Sequence, residues 1–322
     1  MWAAFDGAAM SNTARIPVAV ALAAICLAAA APAGAARSTT GPYGWPVAPF
    51  HAQHPVRGNF GDPRTVFHGP PTRRTLLTAG GLFQFHFGVD ISAPNGTAVY
   101  PVETGVVTRV RADEIVVAAA AGRSFEYWHL HAAVRVGERV AAYRTVLGRI
   151  VRPCGHVHLS ELEGGVYVNP LQRGHLTPYR DETAPQVTSV TARGDGGALE
   201  LEATAEDFPA LPVPGAWNDL PVTPARLSWR LETAHGSVVV PERVAFDVTQ
   251  HLPSSPFWSV YARGTHQNMT AFTKFYAYRQ PGAYVFRLGT LRLAPGAYRV
   301  VVTASDIRGN ASSRTARIAV MP

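Results

Sequence analysis

Short runs of alternating apolar and polar residues dominate the chain, and they predict strands rather than helices. Between residues 86 and 169 these runs include GVVTRVRA, EIVVAAAA and SFEYWHL, separated by Gly, Pro and Asn. Beyond residue 186, longer runs such as ALELEATAED, RLSWRLET and AYRVVVTASD follow, with APGA and IRGN as turns. A period of two with such boundaries is typical of half-buried strands. The sequence therefore predicts an all-β protein built from antiparallel sheets.

A break in this pattern predicts two domains. The stretch TPYRDETAPQ, residues 177–186, combines polar residues with two prolines and is typical of a linker. At 322 residues the chain is also long for one core, since a domain averages roughly 150 residues. We predict a first β domain over residues 37–176, which includes an N-terminal loop region, a linker over 177–186 and a β-sandwich over 187–322.

The first 36 residues differ from the rest and predict a secretory signal peptide. Arg15 precedes the apolar run 16–33, and the small residues of APAGAARS follow it. The alternative is a membrane anchor, but the run is rich in alanine and close to the ~18-residue lower limit for spanning a bilayer. We therefore expect a bacterial protein that is secreted or resides in the periplasm or cell envelope, with no transmembrane segment after cleavage.

Net charge limits which partners the exported chain is expected to bind, and cysteine content limits how its fold can be stabilised. The formal net charge of +7 comes mostly from arginines that are dispersed, without a basic run. This pattern argues against nucleic acid and suits an anionic cell-wall surface, although genomic base composition explains it equally well. After leader cleavage only Cys154 remains, so no internal disulfide can form. Folding outside the cytosol must then depend on core size or on a metal.

The distribution of histidines predicts that the reactive site lies in the first domain. Nine of the twelve lie between residues 51 and 175. In the segment CGHVHLSE, the alternation of side chains along a strand puts His156 and His158 on one face, with Cα atoms about 6.6 Å apart. Two imidazoles on one face can share a metal, or one can bind the metal while the other acts beside it.

The segment HFGVD offers further ligands, His86 and Asp90. In a straight strand their Cα atoms would lie about 13 Å apart, but Gly88 permits a sharp turn between them. With one histidine of the later pair they form a three-ligand zinc set that leaves one position open, as in catalytic zinc sites. In EYWHLH, we expect His129 to reach this site and His131 to lie at its rim.

Together these segments resemble the lysostaphin/LytM-type zinc metallopeptidases. The resemblance rests on FHFGVDISAPNGTAVYPVETGVV, YWHLHAAVRVGERV and CGHVHLSELEGGVYVNPLQ, with RGNFGDPR as the entry motif, and it covers about residues 56–172. It implies a β-sheet domain with a substrate groove and one Zn²⁺ held by His86, Asp90 and His158. It further implies that His129 and His156 assist a water molecule on the metal, the nucleophile that cleaves peptide bonds in peptidoglycan stem peptides or cross-links.

The chain departs from the family pattern around its last ligand. Cys154 stands where the family has a small residue, and it is either a fourth, inhibitory ligand or an inert buried thiol. Ser160 stands where an acidic residue is common, and Glu161 could replace that residue only if the strand flipped. Upstream, Asn59 is either an inhibitory ligand, as in latent family members, or a turn residue beside Gly58.

Two other functions compete with the zinc endopeptidase. One is a non-catalytic LytM-like adaptor or regulator of another cell-wall hydrolase. The other is a 2-His-1-carboxylate iron oxygenase, which would leave His129 and His156 unexplained. The second domain resembles immunoglobulin- or fibronectin-like modules and is expected to bind the cell wall or a protein partner. Its aromatic stretch 256–278 either meets a glycan or packs in the core.

Overall fold

The structure is a computed structural model that describes residues 41–66, 82–194, 198–265 and 283–321. The predicted leader and residues 266–278 of the aromatic stretch lie outside the described residues. Residues 39–322 group into one compact unit, so the predicted domain boundaries remain predictions. In the part of the chain that the structure describes, no helix has the length and apolar character needed to cross a membrane.

Strands account for nearly all regular structure, which confirms the predicted all-β class. Up to residue 176, the strands are β1 (Val56–Gly58), β2 (Pro63–Val66), β3 (Leu82–Phe85), β4 (Val89–Ser92), β5 (Ala98–Val99), β6 (Gly105–Arg111), β7 (Glu114–Ala118), β8 (Arg123–Trp128), β9 (Leu130–Ala132), β10 (Arg139–Val140), β11 (Gly148–Ile150), β12 (His156–Glu163) and β13 (Val166–Val168). After residue 176, they are β14 (Gln186–Arg193), β15 (Leu199–Glu206), β16 (Arg226–Thr233), β17 (Val238–Asp247), β18 (Val285–Leu291), β19 (Gly296–Ser305) and β20 (Ala311–Val320). One short helix, α1 (Phe257–Val260), lies in the described part after β17.

One large antiparallel sheet positions the predicted chemistry. Its order is β1-β4-β12-β8-β7-β6-β10, with β13 also paired to β12. Strand β12 runs through the middle, and its alternating side chains face two environments. Val157 and Leu159 are fully buried in the hydrophobic core, whereas His156, His158 and Ser160 project from the opposite face. The two histidines therefore lie on the same face of the strand.

The second half of the chain forms two antiparallel sheets that share a core. Their orders are β14-β15-β18 and β17-β16-β19-β20. Phe246 of β17 packs on Phe286 of β18, with ring centroids 5.0 Å apart, and both side chains are buried. The alternation that predicted these strands thus reflects one buried face on each sheet.

Residues next to the predicted site bind directly to the second half. The Asn59 side chain donates to the Thr223 carbonyl at 3.0 Å, and the Thr223 backbone NH donates to Asp62 at 2.9 Å. The Tyr261 hydroxyl donates to the Gly61 carbonyl at 2.8 Å. Because these partners lie more than 160 residues away in sequence, residues 59–62 depend on the second half for their position.

The described part of the aromatic stretch packs in the interior. Phe257 and Tyr261 are buried, and their rings lie 5.3 and 5.8 Å from the ring of Phe85 on β3. Trp258 lies beside them, 42% exposed, against Phe83. These contacts join α1 to the β2–β3 hairpin, so this part of the stretch serves packing between the two halves.

Glu161 faces the interior and is held by a buried network. Arg123 donates two hydrogen bonds to one carboxylate oxygen, at 2.9 and 2.7 Å, while Tyr43 and His175 contact the other at 2.6 and 2.9 Å. Glu161, Glu163 and His175 bring together donor atoms that could hold an ion. Because Arg123 already neutralises Glu161, we assign this network a structural role.

Replacing Asp207 with Asn is expected to reduce the loss of stability as pH rises from about 4 to about 8. Burial, reinforced by Asp181 and Asp306, raises the pKa of Asp207 to about 8 despite a backbone hydrogen bond from Phe208. An unfolded Asp ionises near pH 3.9, so the folded state holds an extra proton between about pH 4 and pH 8. The free energy of unfolding therefore falls as pH rises through that window.

The measurement is urea unfolding at pH 5 and pH 9 for wild type, Asp207→Asn and the exposed control Asp219→Asn. The wild type and the control should lose more stability between the two pH values than Asp207→Asn. Equal losses in all three proteins would show that Asp207 does not carry the effect.

Candidate metal centre

The potential metal-ligand atoms of His86, Asp90 and His158 face one another beside β12. His158 lies opposite Asp90 of β4 in the strand register. His86 Nε2 is 2.8 Å from His158 Nδ1 and 3.2 Å from Asp90 Oδ1, and His158 Nδ1 is 3.2 Å from the same oxygen. All three residues are buried. The structure thus brings together the three residues that the sequence analysis assigned as ligands, and their donor atoms form a candidate metal site.

The spacing and chemistry of these atoms fit a zinc ion. Ligand atoms bound at roughly 2.0–2.1 Å in a tetrahedral arrangement lie about 3.3 Å apart. The observed separations of 2.8 and 3.2 Å are close to this value. Two imidazole nitrogens and one carboxylate oxygen are ordinary zinc ligands, and three protein ligands leave a coordination position for a reactant.

Hydrogen bonds orient both ligand histidines. His86 Nδ1 lies 2.8 Å from the carbonyl oxygen of Asn59, which can only accept, and 3.1 Å from Arg64 Nη2, which can only donate. We assign the ring hydrogen to Nδ1 on the shorter contact, which directs the lone pair of Nε2 at the site. His158 Nε2 lies 2.8 Å from Ser160 Oγ, which leaves Nδ1 directed at the other two ligands. Such partners fix the ring orientation of metal-binding histidines.

Charge and burial keep His86 and Asp90 in their metal-binding protonation states. Burial, with the nearby Arg64 guanidinium, lowers the pKa of His86 to about 3. Burial would raise the pKa of Asp90, but His86, His156 and Arg64 together hold it well below its usual range. Arg64 Nη2 donates to Asp90 Oδ2 at 2.9 Å, which leaves Oδ1 toward the histidines. A neutral imidazole and an ionised carboxylate are the forms that bind zinc.

Gly88 is required by space rather than by its backbone conformation. Its φ is not positive, so the backbone conformation does not itself demand glycine. A Cβ at this position would lie 2.6 Å from His158 Nε2 and 2.8 Å from Ser160 Oγ, and closer still to the Leu159 carbonyl oxygen. The glycine predicted for its turn therefore also lets β12 approach the HFGVD segment.

The two other predicted histidines lie beside the ligands. His156 Nδ1 is 2.7 Å from the Cys154 carbonyl oxygen, and its Nε2 is 3.5 Å from Asp90 Oδ1. The centroids of the His129 and His156 rings are 4.5 Å apart. His129 reaches this position because it has a φ of 70° between β8 and β9, a left-handed conformation that is uncommon outside glycine. His131 is exposed on β9, as expected for a rim residue.

Neither candidate inhibitory ligand belongs to the group of donor atoms found among the described residues. The side-chain amide of Asn59 binds the second half of the chain, and its carbonyl orients His86. Cys154 is half-buried and packs against the core, where burial raises the pKa of its thiol. Its contact with the site is the backbone hydrogen bond to His156.

Replacing Ser160 with Ala is expected to lower zinc affinity about 10–100-fold, the usual cost of losing a partner that orients a ligand. Ser160 and Glu161 keep the normal strand alternation, so Ser160, not Glu161, contacts His158. Zinc competition with a chelator measures the loss, and Ser124→Ala, which removes a hydroxyl from neighbouring β8, is the control. Unchanged affinity in Ser160→Ala would contradict this role.

Sequence reasoning missed three charged residues of the site. Arg64 binds Asp90, Arg57 Nη2 lies 3.1 Å from His156 Nε2, and Asp113 Oδ2 lies 3.1 Å from His129 Nδ1. Both arginines stand in the quoted motif RGNFGDPR, but no spacing rule links them to residues of β4 and β12. Asp113 lies between β6 and β7, and only strand pairing brings it near His129.

Comparisons with known proteins found only distant and partial likenesses. No family model matches the chain, and no curated protein does. Among solved structures, it resembles chains from a SpoIIQ–SpoIIIAH pore-forming complex (23% identity, TM-score 0.32, covering 41% of this chain and 89% of that one) and from the prophage-encoded EnpA catalytic domain of Enterococcus faecalis (22%, 0.29, 39% and 95%). Pseudoalterin, a metalloprotease from the deep sea, is similar at 20% identity, with a TM-score of 0.29, over 46% of this chain and 83% of its own. Such likenesses assign neither a family nor an activity to the chain.

Proposed function

We propose that the protein is an exported zinc-dependent endopeptidase that hydrolyses peptide bonds in peptidoglycan stem peptides or cross-links. The observation that carries the proposal is the convergence of His86, Asp90 and His158 on one point, with His129 and His156 beside them. The resemblance of the three sequence blocks to LytM-type peptidases supports the substrate class. An iron oxygenase would need the three ligands alone, whereas hydrolysis also uses the two adjacent histidines.

The site residues divide into metal ligands and histidines that serve the reaction. Zn²⁺ held by the three ligands would supply a Lewis acid that polarises the peptide carbonyl and makes water more acidic. Of the two remaining histidines, His129 and His156, one imidazole can accept a proton from water and pass it to the departing amine, while the other lies beside the reacting carbonyl. Hydrogen bonds to Asp113 and to the Cys154 carbonyl fix the two rings. The three ligands therefore bind the metal, and the second pair of histidines serves the reaction.

The second half of the chain supports the first and is proposed to bind the cell wall or a protein partner. Residues 59–62 hydrogen-bond to Thr223 and Tyr261, so removing residues 187–322 would also disturb the backbone that orients His86. Loss of activity on such a deletion would not separate targeting from support. Substitutions on the exposed surface of this half are therefore the appropriate test of targeting.

The proposed reaction is tested by release of new amino groups from purified peptidoglycan. Wild type should release them, His156→Ala should lose most of this release, and the rim control His131→Ala should retain it. Each protein should carry one zinc, because neither histidine is a proposed ligand. Zinc without release from any peptidoglycan preparation would overturn the enzyme and favour the non-catalytic adaptor. Iron in place of zinc would favour an oxygenase.

A further inference from the structure

Arg57 contacts the candidate site from the edge strand β1. It is only 9% exposed, and its guanidinium lies 3.6 Å from the centroid of the Trp217 ring, which the second half of the chain supplies. Its Nη2 is 3.1 Å from His156 Nε2, while its buried Nε has no hydrogen-bond partner among the described residues. A buried guanidinium with an unused donor is unusual, because such groups are normally satisfied.

This contact uses the free lone pair of His156. The Cys154 carbonyl can only accept, so His156 carries its hydrogen on Nδ1 and has its lone pair on Nε2. A guanidinium can only donate, so Arg57 donates a hydrogen bond to that lone pair. In this arrangement His156 has no free nitrogen with which to take a proton from water.

His129, unlike His156, has a ring nitrogen that can take a proton from water. Its Nδ1 faces the Asp113 carboxylate at 3.1 Å, which places the ring hydrogen on Nδ1. Within the described part of the chain, no residue hydrogen-bonds to His129 Nε2, and the side chain is 31% exposed. The lone pair of His129 is thus both available and accessible.

We propose that Arg57 is a further catalytic residue, which donates a hydrogen bond to the substrate carbonyl oxygen as negative charge develops there. The inference rests on the proposed hydrolase function. Water attacks the carbonyl carbon, His129 Nε2 takes one water proton, and the C–N bond then breaks as that proton passes to the departing nitrogen. The products are a carboxylic acid and an amine, and the acid then loses the second water proton to the amine, which leaves a carboxylate and an ammonium. Arg57 forms the electrophilic side of the site, His156 accepts a hydrogen bond from it, and Asp113 positions His129.

Trp217 positions Arg57 for this role. A planar guanidinium stacks on an aromatic ring, whereas the ammonium of lysine is a compact point charge without that geometry. The indole therefore holds the plane of Arg57 beside His156. Through Trp217, the second half of the chain contributes directly to the reaction site.

The kinetic test compares Arg57→Ala, Arg57→Lys and the exposed control Arg139→Ala. Removing one donor to a developing oxyanion typically lowers kcat about 100-fold or more, so we expect this loss in Arg57→Ala with KM changed far less. Arg57→Lys should recover less than a tenth of the wild-type rate. Arg57→Ala combined with His156→Ala should lose little beyond the worse single variant, because the pair acts as a unit. Unchanged kcat in Arg57→Ala would overturn the proposal. So would a double variant whose loss of kcat equals the product of the two single losses.

A second measurement does not depend on activity. In zinc-free protein labelled with ¹⁵N-histidine, NMR should show His129 and His156 with hydrogen on Nδ1, and Arg57→Ala should shift the His156 Nε2 signal alone. Hydrogen on His156 Nε2 in wild type, or no shift in the variant, would overturn the contact. An intact contact in a wild type without hydrolytic activity would instead overturn the hydrolase function and, with it, the catalytic role of Arg57.

Discussion

His158→Ala is expected to leave a folded protein that no longer retains zinc or releases amino groups from peptidoglycan. His158 supplies one of three donor atoms and also pairs with Asp90 across β12 and β4. Losing a direct ligand should reduce zinc affinity well beyond the roughly 10–100-fold cost of losing an orienting partner. Metal analysis after dialysis and amino-group release measure the two effects.

A matched histidine variant separates this effect from general damage. His131→Ala removes an exposed imidazole from β9 and should keep both zinc and activity. Circular dichroism should report the same strand content for both variants, because the core residues Val157 and Leu159 are unchanged. Full zinc retention in His158→Ala would mean that this histidine is not a ligand.

Arg123→Met is expected to lower the free energy of unfolding by about 3–5 kcal/mol, the cost of leaving a buried charge without its partner. Arg123 donates two hydrogen bonds to the fully buried Glu161 and also binds Glu103. The remaining contacts of Glu161, from Tyr43 and His175, are single hydrogen bonds that do not replace the guanidinium of Arg123. Urea denaturation at pH 7 measures the change.

The control for this prediction removes the unpaired charge. Arg123→Met combined with Glu161→Gln should recover a large part of the lost stability, since the buried carboxylate is then neutral. A loss below about 1 kcal/mol in the single variant would place this pair among weak surface ion pairs. Zinc content should be unchanged, because Glu161 faces the core rather than the metal centre.

Alternation along the chain was enough to predict the sheet framework and the common face of His156 and His158. The predicted run RLSWRLET coincides with β16, residues Arg226–Thr233. The reason is physical, because each strand buries one face and the period of two records that burial directly. The resemblance to LytM-type peptidases added the choice of His158 over His156 as ligand, which alternation cannot make.

Other features of the site depend on contacts that no local pattern encodes. Arg57 meets Trp217 across 160 positions, and Asn59 orients His86 through its carbonyl rather than through the side chain that drew attention. His129 reaches the site through a positive φ that is rare for histidine. These features arise from strand pairing and from packing between the two halves, so the sequence alone could not predict them.

Every proposed role depends on a zinc centre built from His86, Asp90 and His158, and zinc X-ray absorption on the purified protein detects such a centre and its neighbours. We expect one zinc per chain with nitrogen and oxygen neighbours at about 2.0–2.1 Å and the outer scattering of imidazole. No sulfur should appear, because Cys154 lies outside the group of donor atoms. A sulfur neighbour at about 2.3 Å, or a protein that retains no zinc, would contradict this zinc centre.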